Sequence, residues 1–197
     1  ENGIKVGFYH YLTARSNSEA VAQANFFVST ISGMIPDCRL AMDFESFGSL
    51  STEEINEIGL TFMQTVESLS GKEMVIYSDT SNASNIFGGG LTNYPLWVAQ
   101  YEVEEPTPNG NWDSWVGWQY TDAGEISGIN GYVDRDRFTD GILITANKYT
   151  SANKGFEFIR IRLDSIRDYY IAIGLIENDD FTKFKRISGK VIIWYIP

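Results

Sequence analysis

Two acids that stand two residues apart, Asp43 and Glu45, are the residues of this sequence best suited to catalysis. They follow the small apolar run of residues 40–42 in the stretch LAMDFES, with Phe44 between them. Side chains alternate along a strand, so we expect both carboxyls on one side, with their Cα atoms about 6.6 Å apart. One carboxyl can then act as a general acid beside an ionised partner. The pattern alone is equally typical of two solvated acids at a strand end.

Polar or aromatic side chains also occur where the other predicted strands end. In a barrel of parallel strands, the carboxyl ends of the strands carry the active site. A single tyrosine, tryptophan or histidine at such a position is more often a packing residue, but five successive strand ends predict a shared site. The candidates are His10, Tyr11, Tyr77, Ser78, Trp97, Gln100, Tyr101, Trp118, Gln119, Tyr120, Asp134 and Asp136.

The elements that must position these residues follow from hydrophobic periodicity. Apolar runs predict strands near residues 4–12, 38–45, 73–78, 94–101 and 114–121, and a short strand ending in Asp134. Helical spacing predicts helices near 16–31, capped by Ser16 or Ser18, and near 51–70, where Ser51 precedes two acids. Strands that alternate with helices predict an α/β fold of the irregular (β/α) barrel type, similar to a TIM barrel.

Composition excludes several classes of function. The net charge of -11 and the pI near 4.5 argue against nucleic acid and against anionic membranes as partners. Cys38 is the single cysteine and His10 the single histidine, which excludes an internal disulfide and a zinc site built from several histidines. We therefore expect no metal and no cofactor. The sequence contains no apolar run long enough for a transmembrane helix.

The composition and the hydrophobic pattern of the sequence change near residue 145. We predict a catalytic domain over residues 1–145, a polar linker over 146–154 and a small C-terminal module of mixed or β type over 155–197. The last segment contains FEFIRIRL and KRISGKVIIWYIP and is more basic than the front of the chain. It is interpreted either as a cell-wall-binding module or as a fragment of a further domain.

Six segments together carry a resemblance to a known family. GFYHY, QANFF, AMDFES, VIYS, YPLWVAQY and GWQYTDAGEISGINGYVDRDRF occur in the order and spacing of glycoside hydrolase family 25, the Chalaropsis-type lysozymes. The chain resembles that family over about residues 3–143, with phage endolysins and bacterial autolysins as the most similar members. The D-x-E pair alone is a weak signal, but its combination with the late tryptophan and aspartate block is specific.

The resemblance implies roles for individual residues. Glu45 would protonate the leaving glycosidic oxygen, and Asp43 would assist electrostatically. The late aspartate of the family falls on Asp134, and Asp136 is a second candidate that ranks lower. The substrate-binding candidates are His10, Tyr77, Trp97, Tyr101 and Gln119.

The implied reaction is hydrolysis of the β-1,4 bond between N-acetylmuramic acid and N-acetylglucosamine. Its outcome would be retention, with the N-acetyl group of the substrate as the nucleophile. The implied partner is bacterial peptidoglycan, and the implied place of action is extracellular or in the cell wall.

The chain also departs from the family pattern. The family begins with a strand that carries a D-x-S motif and continues with a K-x-x-E-G-like stretch, and neither precedes the strand near residues 4–12. A barrel without these strands would expose sheet edges, so we expect the natural protein to have an upstream segment. Two alternatives therefore stay open: a non-catalytic glycan-binding relative of the same barrel, and a different barrel glycosidase with a wider carboxylate pair.

Overall fold

A mixed sheet of eight strands organises the part of the chain that the structure describes. The computed structural model describes residues 5–144 and, as backbone strands only, residues 156–160 and 191–194. The strands are β1 Lys5–Tyr11, β2 Leu40–Asp43, β3 Met74–Asp79, β4 Leu96–Ala99, β5 Gly117–Gly124, β6 Val133–Phe138, β7 Phe156–Arg160 and β8 Val191–Trp194.

The strand order is β7-β6-β5-β4-β3-β2-β1-β8. Strands β1 to β5 are parallel, whereas β6 runs antiparallel to β5, β7 to β6, and β8 to β1. The carboxyl ends of the parallel strands and the beginning of β6 therefore share one edge, which we call the site edge. The predicted α/β class is confirmed in the form of a mixed, half-barrel sheet.

Two long helices cover one face of the sheet. They are α1 Asn17–Thr30 and α2 Thr52–Ser70, followed by the short α3 Thr80–Asn85 and by 3-10 turns at Gly89–Asn93 and Asp140–Ile142. Ser16, rather than Ser18, caps α1, because its hydroxyl accepts the backbone N–H of Glu19. At α2, Ser51 and Glu54 form the reciprocal capping box that satisfies two otherwise unpaired N–H groups.

Alternation along the strands divides the sheet into two faces. The helix face carries the large apolar core; it includes Leu40, Met42, Phe44, Phe62, Met63, Met74, Ile76 and Val98. The opposite face, which we call the inner face, carries a smaller and more aromatic cluster; it includes Tyr9, Ala41, Val75, Tyr77, Trp97, Ala99 and Phe138. Residues of one parity on each strand thus pack under the helices, and residues of the other parity line the inner face.

The two described segments of the C-terminal region are the edge strands of this sheet. β7 pairs with β6 and β8 pairs with β1, so both extend the main sheet rather than stand apart from it. The linker predicted over 146–154 lies outside the described residues, as does 161–190, and the division of the chain into domains stays a prediction. No helix in the described part of the chain is long and apolar enough to cross a membrane.

Candidate active site

A row of directly paired residues crosses the inner face from the site edge, at the ends of β1 and β2, to the beginning of β5. Strand register places Tyr11 beside Asp43, Asp43 beside Tyr77, and Tyr77 beside Trp97. Gly117 follows Trp97 in the row and pairs in turn with Phe138 of β6. The parallel strands thus bring side chains that are far apart in the sequence into one line.

Gly117 allows two large rings to meet in this row. A Cβ atom at this position would lie 2.5 Å from Cε1 of Phe138 and 2.7 Å from Cδ1 of Trp97, which is closer than real Cβ contacts. The Trp97 and Phe138 ring centroids are 5.2 Å apart. Because Gly117 has no side chain, the indole of Trp97 can pack against both β5 and the ring of Phe138.

Asp43 is the last residue of β2 and is only 3% exposed. Its backbone carbonyl accepts the N–H of Leu12 at 2.7 Å, which joins the end of β1 to the end of β2. Because Asp43 belongs to the same strand parity as Ala41, its carboxyl lies on the inner face between Tyr11 and Tyr77. This places one acid of the predicted pair inside the site.

Glu45 lies beyond β2, because the strand is shorter than predicted and ends at Asp43. Phe44 is fully buried on the helix face against Phe47, with ring centroids 5.0 Å apart, and it anchors the chain as it leaves the strand. Glu45 follows as a solvent-exposed side chain. Arg15 then holds the next turn, because its guanidinium donates to the carbonyl oxygen and the hydroxyl of Ser46.

Two aspartates on β6 differ in their access to solvent. Asp134 and Asp136 both lie on the inner face, because the intervening Arg135 and the following Arg137 project to the opposite side, where their guanidiniums stack on aromatic rings. Asp136 is completely buried and accepts the indole N–H of Trp97 at 2.8 Å. Asp134 is partly exposed at the site edge. Of the two, only Asp134 can meet a substrate.

Three of the predicted substrate-binding residues form one hydrogen-bond network. The hydroxyls of Tyr77 and Tyr101 both donate to Oε1 of Gln119, at 2.8 and 2.6 Å. The ring of Tyr77 packs edge-on against Trp97 with centroids 4.9 Å apart. Gln119 is 1% exposed and Tyr101 is 39% exposed. The network therefore connects a buried residue of the inner face with a residue that solvent can reach.

Tyr101 lies beyond β4, at the start of a long loop. Glu102, the next residue, has φ 58°, which makes it the one non-glycine residue with positive φ in the described part of the chain. That conformation is costly for an L-residue other than glycine. The Oε1 of Gln100 accepts the backbone N–H of Thr107 at 2.8 Å and so closes the loop on itself. These features fold the chain back so that the phenol of Tyr101 reaches Gln119.

His10 is not brought together with the other candidates. It lies on the helix face, stacked on Phe62 at a centroid distance of 5.2 Å and close to Phe27. Its Nε2 is 3.0 Å from Oε1 of Gln23. Burial lowers the pKa of His10, and the hydrogen bond to Gln23 partly opposes that shift. The neighbouring Tyr11, which is among the strand-end candidates, is the residue of β1 that stands beside Asp43. The alternation of the strand is the signal that favours it over His10.

Asp79 is a further acid near the site that we did not single out from the sequence. It pairs through the register with Ala99, which pairs with Gln119, so it stands in the second row of the inner face. Its carboxylate caps α3 by accepting the N–H of Asn82 at 2.9 Å. No group of three or more histidine, cysteine or acidic side chains among the described residues is placed to hold a metal ion.

Comparison with known proteins identifies the family of this chain. The sequence profile of Glycosyl hydrolases family 25 matches residues 1–129, which contain both acids of the D-x-E pair and the whole row from Tyr11 to Gly117. The chain is a member of glycosyl hydrolase family 25. The resemblance drawn from the sequence motifs is therefore confirmed.

Named relatives of this family 25 chain agree with the profile. It is 34% identical over 142 residues to an autolytic lysozyme of Clostridium acetobutylicum, covering 72% of this chain and 42% of that protein. It is 32% identical to Lysozyme M1 of Streptomyces globisporus, covering 69% of this chain and 50% of that protein. The chain thus spans half or less of the length of these curated relatives.

Solved structures show the same fold. The CTP1L endolysin matches with 30% identity and a TM-score of 0.59, covering 69% of this chain and 47% of the endolysin. The spore cortex lytic enzyme SleM of Clostridium perfringens matches with a TM-score of 0.62 at 21% identity, covering 96% of this chain and 70% of SleM. The SleM match extends the fold likeness beyond the residues that the family profile matches.

Proposed function

We propose that this chain is the catalytic part of a muramidase that hydrolyses the β-1,4 bond between N-acetylmuramic acid and N-acetylglucosamine in bacterial peptidoglycan. The observation that supports it most is that the exposed Glu45, the buried Asp43 and the partly exposed Asp134 lie at the same edge of a sheet whose inner face is lined with aromatic side chains. Membership of family 25 and the lysozyme names of its relatives support the same reaction.

Each acid suits a different step of glycoside hydrolysis. Glu45 is exposed, so its proton can reach the leaving glycosidic oxygen. Asp43 lies in a low-dielectric position, where a negative charge stabilises the positive charge that develops on the sugar in the transition state. We assign the nucleophile to the N-acetyl group of the substrate, and Asp134 accepts the amide N–H of that group and so orients it.

The wider setting of the site is part of the same proposal. The mixed sheet belongs to an irregular (β/α) barrel, similar to a TIM barrel, in which the exposed Tyr101 contacts the glycan. The buried Tyr77, Trp97 and Gln119 support it from within the inner face. The partner is peptidoglycan, since solved relatives include a modular autolysin in complex with a synthetic peptidoglycan ligand. The protein then acts outside the cell or in the cell wall, without a metal or a cofactor.

Replacement of Glu45 tests the proposal most directly. Glu45→Gln keeps the shape of the side chain and removes the proton, and general acid catalysis is typically worth about 10²–10⁴-fold. We expect a loss of that size in the rate at which the purified full chain clears a cell-wall suspension. Glu57→Gln, an equally exposed glutamate on α2, is the matched control and should be unaffected.

Two results would contradict the proposal. Lysis by Glu45→Gln at the wild-type rate would remove Glu45 from the mechanism. Binding of the wild-type chain to cell walls without any release of reducing sugar ends would instead support the alternative, a non-catalytic glycan-binding relative.

A further inference from the structure

Tyr132 is the most exposed aromatic side chain in the described part of the chain. Its exposure is 70%, compared with 43% for Phe26 and 39% for Tyr101. A single exposed apolar residue needs no explanation by itself. The position of Tyr132 relative to the site is therefore the observation that decides its interpretation.

Tyr132 stands at the site edge, directly before β6. The antiparallel β6 pairs with β5, and its first residue, Val133, is opposite Gly124 at the end of β5. Tyr132 therefore lies at the site edge, with β3, β4 and β5 between β6 and the acid-bearing β2. Continuing the alternation of β6 by one residue puts Tyr132 on the side of Asp134 and Asp136, opposite to Val133. Two residues of extended chain separate the Cα atoms of Tyr132 and Asp134 by about 7 Å.

The loop that presents Tyr132 has a defined turn structure. Gly128 and Gly131 have φ of 92° and 93°, a backbone conformation that favours glycine, and the N–H of Ile129 donates to the carbonyl of Ile126 at 3.0 Å. The loop curls around an open depression of about 750 Å³. Its lining includes Tyr132 together with side chains that can form hydrogen bonds, namely Glu125, Ser127 and Asn130.

We propose that Tyr132 and this loop form a binding site for a sugar ring of the glycan strand that lies beyond the two sugars joined by the cleaved bond. This inference rests on the proposed muramidase function. A flat aromatic ring packs against the apolar face of a pyranose, while amide and hydroxyl groups beside it take the sugar hydroxyls. Tyrosine has few rotatable bonds, so little conformational entropy is lost when its exposed ring is ordered by a ligand.

The site makes a specific prediction about substrate length. A long glycan strand reaches Tyr132, whereas a short fragment that spans only the cleaved bond does not. Tyr132→Ala should raise the KM for long strands about threefold to tenfold, the value of one stacking contact, and leave kcat unchanged. The KM for the short fragment should not change, so the preference of the wild-type chain for long strands should disappear.

Two variants separate the ring from other properties of the residue. Tyr132→Phe keeps the ring and should retain most of the affinity, whereas Phe26→Ala removes a partly exposed ring on α1, under the opposite face, and should change nothing. Dissociation constants of the full chain for insoluble peptidoglycan, measured by sedimentation, give a readout that does not require turnover. The same threefold to tenfold weakening is expected there for Tyr132→Ala.

Three outcomes would overturn the inference. They are wild-type affinity of Tyr132→Ala for peptidoglycan, an equal loss with Tyr132→Phe, and an equal rise in KM for short and long substrates. Failure of the muramidase proposal has a different signature: the wild-type chain would then bind peptidoglycan through Tyr132 without cleaving it. A chain that cleaves but does not depend on Tyr132 keeps the enzyme and removes this site.

Discussion

Neighbouring residues of one strand have opposite environments on the two faces of the sheet. On β1, Tyr11 stands on the inner face beside Asp43, whereas His10 is stacked on Phe62 under the helices. The inner face combines aromatic rings with buried polar groups, among them Gln119 and Asp136, each 1% exposed or less. On the helix face the core is almost wholly apolar.

The contrast indicates that the helix face serves stability and the inner face serves chemistry. Burial of a polar or charged group is costly unless hydrogen bonds compensate it. The inner face meets that condition with side-chain bonds such as Trp97 to Asp136, but an apolar face of the same size would be simpler to build. We therefore expect substitutions on the helix face to change the free energy of unfolding, and those on the inner face to change mainly activity.

The largest expected effect is on the helix face. Phe62 is fully buried on α2, where it contacts His10 and Phe27, and Phe62→Ala leaves a cavity between helices and sheet. We expect a loss of about 3–5 kcal/mol in the free energy of unfolding, measured by urea denaturation. Phe26→Ala, at a position 43% exposed on α1, is the control and should cost far less. Equal losses in both variants would show that the helix face is not the stabilising face.

The helices were predictable from the sequence because their signals are local. Ser51 and Glu54 stand three residues apart, and that spacing alone produces the capping box of α2. The ends of the strands depend on pairing with distant segments. β2 ends at Asp43, two residues earlier than predicted, because the next residue, Phe44, turns into the helix core.

The sequence predicts which residues form the site better than it predicts how they are placed relative to one another. The sequence motifs identified Asp43, Tyr77 and Trp97, and the register does place these three side by side. His10 and Tyr11 both end the first predicted strand, and the alternation of β1 places only Tyr11 beside Asp43. The shared acceptor on Gln119 depends on a tyrosine from a loop, and no local pattern encodes that contact.

An intermediate effect is expected at the point where the inner face is most tightly packed. Gly117→Ala adds a methyl group that meets Phe138 and Trp97 at 2.5–2.7 Å, so one ring must move. Overpacking of this kind typically costs about 1–3 kcal/mol. The buried indole of Trp97 packs against Tyr77 and donates to Asp136, so its displacement disturbs the inner face beneath the site. We therefore expect cell-wall lysis to fall even where the variant is fully folded. Gly88→Ala controls for the change of residue type, because Gly88 has extended backbone and nothing within 4 Å of the added methyl group.

The effect of Gly117→Ala on activity must be separated from its effect on folding. Lysis should be compared at a temperature where the thermal unfolding curve shows both variants fully folded. If Gly117→Ala then clears cell walls at the wild-type rate, the position of Trp97 does not matter for activity, and the inner face is only a second core.

The smallest expected effect is the pH dependence that His10 brings to the helix face. Burial lowers the pKa of His10 below its ordinary value of 6.5, so the unfolded chain binds a proton more readily than the folded one. The neutral histidine therefore contributes its full stability above pH 6.5, and that contribution is lost as the pH falls from 6.5 through the lowered pKa.

His10→Phe isolates this contribution, because a phenyl ring can keep the contacts with Phe27 and Phe62 and cannot be protonated. Its free energy of unfolding should fall less than that of the wild-type chain between neutral and mildly acidic pH. Carboxylates titrate in both proteins, so their effect cancels in the difference between the two curves. Parallel curves for the two proteins would mean that His10 is accessible to water when protonated, and that the helix face is open at the carboxyl end of β1.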